Sequence, residues 1–175
     1  MTDLARIGSL LAAQAIGYAP GGAVLAGLTG GLVFLVIVWD AILGRVTRVG
    51  YLYVLGAGIA PRTSRSTRYG LGLAIHTTLS AFFGLLYAGV LDWVGVSSLG
   101  DAAGLGFLIG LLQGAVSLVV AGWVLSRLHP LVRNGELAMP GRALTGYGRS
   151  TPVVWMIAHA AFGLTVGAVY AAAAL

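Results

Sequence analysis

Two stretches decide the reading of this chain: His76-Thr-Thr-Leu-Ser-Ala-Phe-Phe-Gly-Leu-Leu-Tyr87 and His159-Ala-Ala-Phe-Gly-Leu-Thr-Val-Gly-Ala-Val-Tyr170. Each runs His, seven residues, Gly, two residues, Tyr, and they stand 83 positions apart. Gly84 therefore pairs with Gly167 and Tyr87 with Tyr170. At the same offset Gly27 and Gly31 fall on Gly110 and Gly114, and Leu35-Val-Ile37 falls on Leu118-Val-Val120. A tandem duplication of a helix pair is the simplest cause of such self-similarity. Duplicated halves in a membrane meet about a pseudo-two-fold axis, so residues related by it are candidates for a shared site or contact.

Composition places these stretches in a bilayer. Of 175 residues, 58% are hydrophobic and only 9% charged, where a soluble domain carries roughly 25% charge. Residues 23–44, 70–91, 102–126 and 152–175 are nearly free of charge, and each is long enough to span a hydrocarbon core of about 30 Å. The expected fold is an all-α membrane protein with four transmembrane helices, a tandem duplication of a two-helix unit. A short N-terminal interfacial helix precedes them. Residues 1–22 form an outer-surface segment, 23–95 the first repeat of two spans and a basic loop, and 101–175 the second.

Arginine sets the expected orientation. All ten basic residues are Arg. Arg45, Arg48, Arg62, Arg65 and Arg68 follow span 1, while Arg127, Arg133, Arg142 and Arg149 follow span 3. Nine of ten fall on one side, which the positive-inside rule makes cytoplasmic. Both termini then face outward. These arginines are candidate lipid-headgroup contacts. Nucleic acid is not an expected partner, because the basic residues are not interleaved with aromatics on a folded surface. The chain has no Cys, which excludes disulfides, thiolate metal sites and cysteine nucleophiles.

Residues 2–18 carry Leu4, Ile7, Leu11, Ala15 and Tyr18 at helical spacing, a weakly amphipathic pattern suited to a surface helix. They lack the basic and strongly apolar regions of a cleaved leader. Ala19-Pro-Gly-Gly22 breaks the run. After span 1, Tyr51-Leu-Tyr-Val-Leu-Gly56 suits the membrane interface, and Pro61-Arg-Thr-Ser-Arg-Ser-Thr-Arg68 is a flexible or headgroup-binding piece. Asn134-Gly135 signals a turn, and Pro152 suits the first turn of span 4.

Glycine sets the expected packing. Every fourth residue gives the ridges His76-Ser80-Gly84-Ala88 and His159-Gly163-Gly167-Ala171, with Gly27-xxx-Gly31 in span 1 and Gly106-xxx-Gly110-xxx-Gly114 in span 3. Small residues let helix backbones approach closely where lipid is as apolar as the side chains. Both histidines lie about 10 Å inside the basic edge.

Three readings of the histidine pair are open. Each imidazole bonds a carbonyl, hydroxyl or Tyr on a neighbouring helix and fixes packing. Alternatively, His76 and His159 ligate a b-type haem between spans 2 and 4. The third adds Asp40, one turn inside the basic end of span 1, to give a two-His-one-carboxylate metal or proton site. Gln113 is expected to make one interhelical hydrogen bond, and His129 to be solvated in its loop. Trp39, Trp93, Trp123 and Trp155 read as interface anchors, as do Tyr87 and Tyr170. No phosphate loop, Gly-x-Ser-x-Gly or His-Glu-x-x-His occurs, so no catalytic residue is assigned and enzymatic activity is not expected.

The run Ile157-Ala-His159-Ala-Ala-Phe162-Gly163-Leu-Thr-Val-Gly167-Ala-Val-Tyr170 resembles a segment of small prokaryotic multi-span proteins of unknown function. These pair a helix of form His-x-x-aromatic-Gly-x-x-x-small-x-x-Tyr with glycine-rich neighbours. The second span matches in part, since Leu79 and Ser80 replace the aromatic and the Gly. The resemblance implies a compact four-helix unit in a prokaryotic cytoplasmic membrane, and no activity. The functional expectation is an accessory subunit or interaction module that packs laterally against a partner or against itself. A haem or metal protein, and a small transporter or proton path through Asp40, are the alternatives.

Overall fold

A computed structural model describes residues 18–174. The expected N-terminal surface helix falls almost wholly outside them. Four helices are long and apolar enough to cross a membrane: α1 (Pro20–Leu43), α3 (Arg65–Val94), α4 (Leu99–Arg127) and α6 (Thr151–Ala174). Between α1 and α3 lies the short helix α2 (Tyr51–Ile59). Between α4 and α6 lie a single turn, α5 (Pro130–Arg133), and an irregular 3₁₀ segment, Arg142–Tyr147. No strand occurs among the described residues.

The helix ends follow local chemistry. Pro20 opens α1, where its missing N–H costs nothing. Ser64 caps α3 by accepting from the Thr67 amide, and Gly95 ends it at φ 74°, a left-handed turn that glycine adopts without strain. Ser98 caps α4: its hydroxyl accepts from the Asp101 amide at 3.1 Å and donates to the Asp101 carboxylate at 2.7 Å.

Packing is antiparallel and built on glycine. A Cβ on Gly84 would collide with the Ala23 carbonyl and lie 2.7 Å from Gly27 Cα, so α1 and α3 touch backbone to backbone. Gly31 meets the Ser80 side chain. In the second half Gly106 and Gly163 face each other's carbonyls, Gly110 faces the His159 carbonyl, and Gly167 faces Ala102. Gly114 packs against the His159 side chain and Met156. These glycines and Ser80 all make close contacts within the chain. A third close contact, not anticipated, joins α1 to α6, where a Cβ on Gly30 would lie 2.9 Å from the Phe162 carbonyl and from Val166.

The glycine contacts follow two offsets. Gly84 on the Ala23 carbonyl corresponds to Gly167 on the Ala102 carbonyl, and Gly27 on Gly84 to Gly106 on Gly167. These contacts relate the second helices at an offset of 83 but the first helices at 79. Gly27 behaves like Gly106 and not like Gly110. The difference is four residues, close to one turn of helix.

The resulting order around the bundle is α3, α1, α6, α4. The ring is not closed: α3 and α4, joined by Gly95-Val-Ser-Ser98, make few contacts along their length. Outward faces remain apolar, with Leu32, Leu43, Leu108 and Val119 among the exposed side chains, as expected of surfaces that meet lipid.

The loops at the arginine-rich end interlock. Thr47 and Thr151, both buried, share a hydrogen bond of 2.9 Å, and the Arg48 amide donates to the Tyr147 carbonyl. His129 is not solvated, contrary to expectation. It is buried, with Nε2 donating to the Val54 carbonyl at 2.9 Å, because α2 folds back over the position the loop was expected to leave open.

Candidate functional site

The gap between α3 and α4 forms a cleft of about 940 Å³. Leu79, Phe83, Leu86 and Val90 line one wall, and Ile109, Leu112, Val116 and Val120 the other. Phe34 of α1 and Trp155, His159 and Phe162 of α6 form the back. Val54, Leu55, Gly58, His129 and Leu144 close the arginine-rich end. Leu144 reaches this place from a left-handed backbone, φ 66°, a conformation that costs a branched side chain of the order of 1–2 kcal/mol. Its side chain is almost fully buried.

A few polar groups punctuate this apolar surface. His76 Nε2 lies 2.9 Å from the Gly31 carbonyl, so Nε2 carries the proton and donates. Nδ1 is then left to accept from the Tyr51 hydroxyl at 3.2 Å. His159 uses the opposite tautomer. Its Nδ1 donates to the Trp155 carbonyl at 2.8 Å, and Nε2 accepts from Ser117 Oγ at 3.2 Å. Ser117 also accepts from Trp155 Nε1 at 2.7 Å, and its single proton is shared between His159 Nε2 and the Gly114 carbonyl, 2.9 Å away. On the opposite side of the back wall, Tyr87 donates to Gln113 Oε1 at 2.7 Å. That bond is the interhelical contact expected of Gln113, and it ties α3 to α4 at two residues that line the cleft.

The Phe34 ring links the two histidines. Its centroid lies 5.5 Å from the His76 ring and 4.9 Å from the His159 ring, the latter edge-on. Tyr51 and Trp155 complete the cluster, 5.7 Å apart. Burial raises the Tyr51 phenol above its ordinary titration range, so it acts as a neutral donor to His76.

The structure thus brings His76 and His159 into one aromatic cluster but leaves Asp40 out. Asp40 is exposed on α1, and among the described residues no group of three or more His, Asp or Glu is placed to hold a metal ion. Each neutral imidazole already uses both ring nitrogens. An iron held between the rings would have to displace Phe34 and two hydrogen bonds. Of the nine loop arginines, Arg45, Arg48, Arg62, Arg65, Arg127, Arg133, Arg142 and Arg149 are exposed, and Arg68 is half-buried.

Three aromatic expectations change. Trp39, Trp93 and Trp123 are exposed as anchors should be, but Trp155 is only 8% exposed, because its indole N–H needs the Ser117 acceptor inside the bundle. Tyr87 and Tyr170 are buried too. Tyr87 reaches Gln113, and the Tyr170 hydroxyl accepts from the Ala19 amide at 3.0 Å. Tyr51, Phe34 and Ser117 had not been singled out as site residues. Their sequence signal is weak, since each is an ordinary residue for a span or an interface and acquires its role through helix order.

Comparison with known proteins adds no family to this geometry: no protein-family model, no curated protein and no solved structure matches the chain.

Proposed function

We propose that this protein is an integral membrane interaction module that takes one chain-like apolar molecule, of acyl or isoprenoid type, laterally from the bilayer into the α3–α4 cleft. The observation that carries the reading is the unequal closure of the bundle. The α1–α3, α4–α6 and α1–α6 contacts are sealed by glycine at backbone distance, whereas α3 and α4 leave about 940 Å³ between them. That volume lies at the upper end of the range of small-molecule pockets, roughly 300–1,000 Å³. Apolar walls with a few fixed polar groups are the usual composition of such sites.

A chain molecule suits the cleft better than a partner helix. A spanning helix needs a clear path through both leaflets, and α2, His129 and Leu144 obstruct the cleft at one end. The small-residue ridges that favour docking of a partner helix are consumed inside the chain. The duplication belongs to the same reading. If the halves are related by a pseudo-two-fold axis, α1–α6 and α3–α4 are equivalent interfaces, one closed and one held open. The arginine-rich end is placed in the cytoplasm, with both termini outside, in a prokaryotic inner membrane.

Native mass spectrometry of protein purified in mild detergent tests the proposal. A retained apolar adduct is expected in the wild type. Filling the cleft by Leu112→Trp with Leu86→Trp should remove it while the variant stays folded by circular dichroism. Retention of the same adduct by the filled variant would exclude the cleft as its site.

A further inference from the structure

We propose that a second pocket, between α2 and the start of α3, binds the phosphate of an anionic lipid headgroup. The pocket holds about 440 Å³ and is lined by Gly50, Tyr53, Thr63, Arg65, Arg68 and Tyr69. It contains two guanidinium groups and no carboxylate. Arg68 donates to the Tyr53 hydroxyl and the Pro61 carbonyl. Both partners are neutral, so they orient the guanidinium without discharging it. Its Nε is buried with no hydrogen-bond partner. Arg65 lies over the Tyr69 ring at 5.8 Å and Arg68 over the Tyr53 ring at 5.1 Å, with the two tyrosines 5.7 Å apart.

The position makes this charge unusual. Both arginines sit in the first turn of α3, which has no acidic residue. A helix N-terminus carries partial positive charge and favours anions. The other long helix that starts after a serine cap, α4, follows that rule with Asp101. Two cations at the positive end of a 30-residue helix repel it and each other unless an anion lies between them. Phosphate meets the need, since planar guanidinium groups bind it bidentately and the tyrosine rings hold those planes in place. The apolar part of α3 starts just beyond Tyr69, so the pocket stands at the boundary between polar and apolar layers. Lipid phosphate lies at that level, and this selects the headgroup over free phosphate. Tyr53 of α2 and the preceding Gly50 line this pocket, while Val54, Leu55 and Gly58 of α2 line the cleft. The two sites are therefore separate.

The test is the melting temperature of the full chain in nanodiscs of phosphatidylcholine, with and without phosphatidylglycerol. Phosphatidylglycerol is expected to raise the Tm of the wild type by about 5 °C. Arg65→Gln should lose most of that rise. Arg62→Gln, an exposed neighbour outside the pocket, should keep it. The Arg65 side chain is exposed, so its variant is expected to fold. Equal losses in the two variants would show a diffuse basic surface and overturn the site, as would equal Tm values in the two lipids. A rise of the same size in phosphatidylcholine on adding inorganic phosphate, also lost in Arg65→Gln, would overturn the lipid as the ligand.

Discussion

Replacing Gly167 by Ala should cost far more than its single methyl group suggests. A Cβ at this position would collide with the Ala102 carbonyl, with the carbonyl carbon 2.7 Å away and Ala103 Cα 3.1 Å away. Ordinary contact begins near 3.4 Å, so relieving the carbonyl carbon alone needs about 0.7 Å of separation, the difference between 2.7 and 3.4 Å, and the nearer carbonyl oxygen needs more. Neither obstacle is a flexible side chain that can turn aside. Parting the helices also loosens Gly106 against Gly163 and Gly110 against the His159 carbonyl. A gap of 0.5–1 Å forfeits about a quarter to a half of each dispersion contact. Overpacking typically costs about 1–3 kcal/mol, and the loss of neighbouring contacts places Gly167→Ala at about 2–3 kcal/mol. The control is Gly104→Ala on α4, where an added Cβ meets nothing within 4 Å. A mid-helix Gly→Ala change there should be neutral or stabilise by up to about 1 kcal/mol. Reversible unfolding in mixed micelles, followed by tryptophan fluorescence, measures both. Stabilities within about 0.5 kcal/mol of each other, well inside the expected gap, would refute the claim that close glycine contact holds this bundle.

Ser117→Ala removes the acceptor for the Trp155 indole and the hydroxyl whose proton His159 Nε2 shares with the Gly114 carbonyl. Leaving such groups buried without partners should cost about 1–3 kcal/mol and shift the Trp155 emission, which a variant carrying only that tryptophan would report. Thr47→Val and Thr151→Val should each destabilise by about 1 kcal/mol, and the double variant by less than their sum, since it removes both partners of one buried bond; additive losses would contradict that pairing. Burial raises the Tyr147 phenol from 10.0 to about 12. Because the folded state holds its proton more tightly, stability is complete below pH 10 and falls as pH rises from there toward 12. Phenolate absorbance in Tyr147→Phe, compared with wild type, should lack a late-titrating step, and an early step lost instead would show that the ring is not buried.

Much of the fold was legible because lipid imposes simple rules. Uncharged runs about 20 residues long marked the four spans, and the glycine ridges marked where backbones meet. Gly84 and Gly167 stand on such ridges, and each lies against the backbone of a neighbouring helix. Register was harder. The repeat His-x7-Gly-x2-Tyr fixes the offset of α3 and α6 at 83 residues, but α1 and α4 are glycine-rich at several spacings. Gly27 can be matched to Gly106 or Gly110 on the chain alone, and only the contacts choose between them. The cleft could not be read at all. Its walls are leucine, valine, isoleucine and phenylalanine, the residues expected on any lipid-facing surface, and it depends on which helix pairs stay apart. Trp155 and Tyr87 were misplaced for a related reason. Their positions near span ends suit interface anchors, but Ser117 and Gln113 on another helix supply buried partners for their polar atoms.

The central claim, that an apolar chain enters between α3 and α4, is tested most directly by quenching of Trp155. The variant Trp39→Phe, Trp93→Phe and Trp123→Phe leaves Trp155 as the only indole. That residue is 8% exposed and lines the cleft. In bilayers of lipids brominated along the acyl chain, the account predicts strong quenching of Trp155, and loss of that quenching when the same variant also carries the non-fluorescent fillers Leu86→Phe and Leu112→Phe. Unquenched Trp155 in the open cleft, or equal quenching in the open and filled forms, would contradict it.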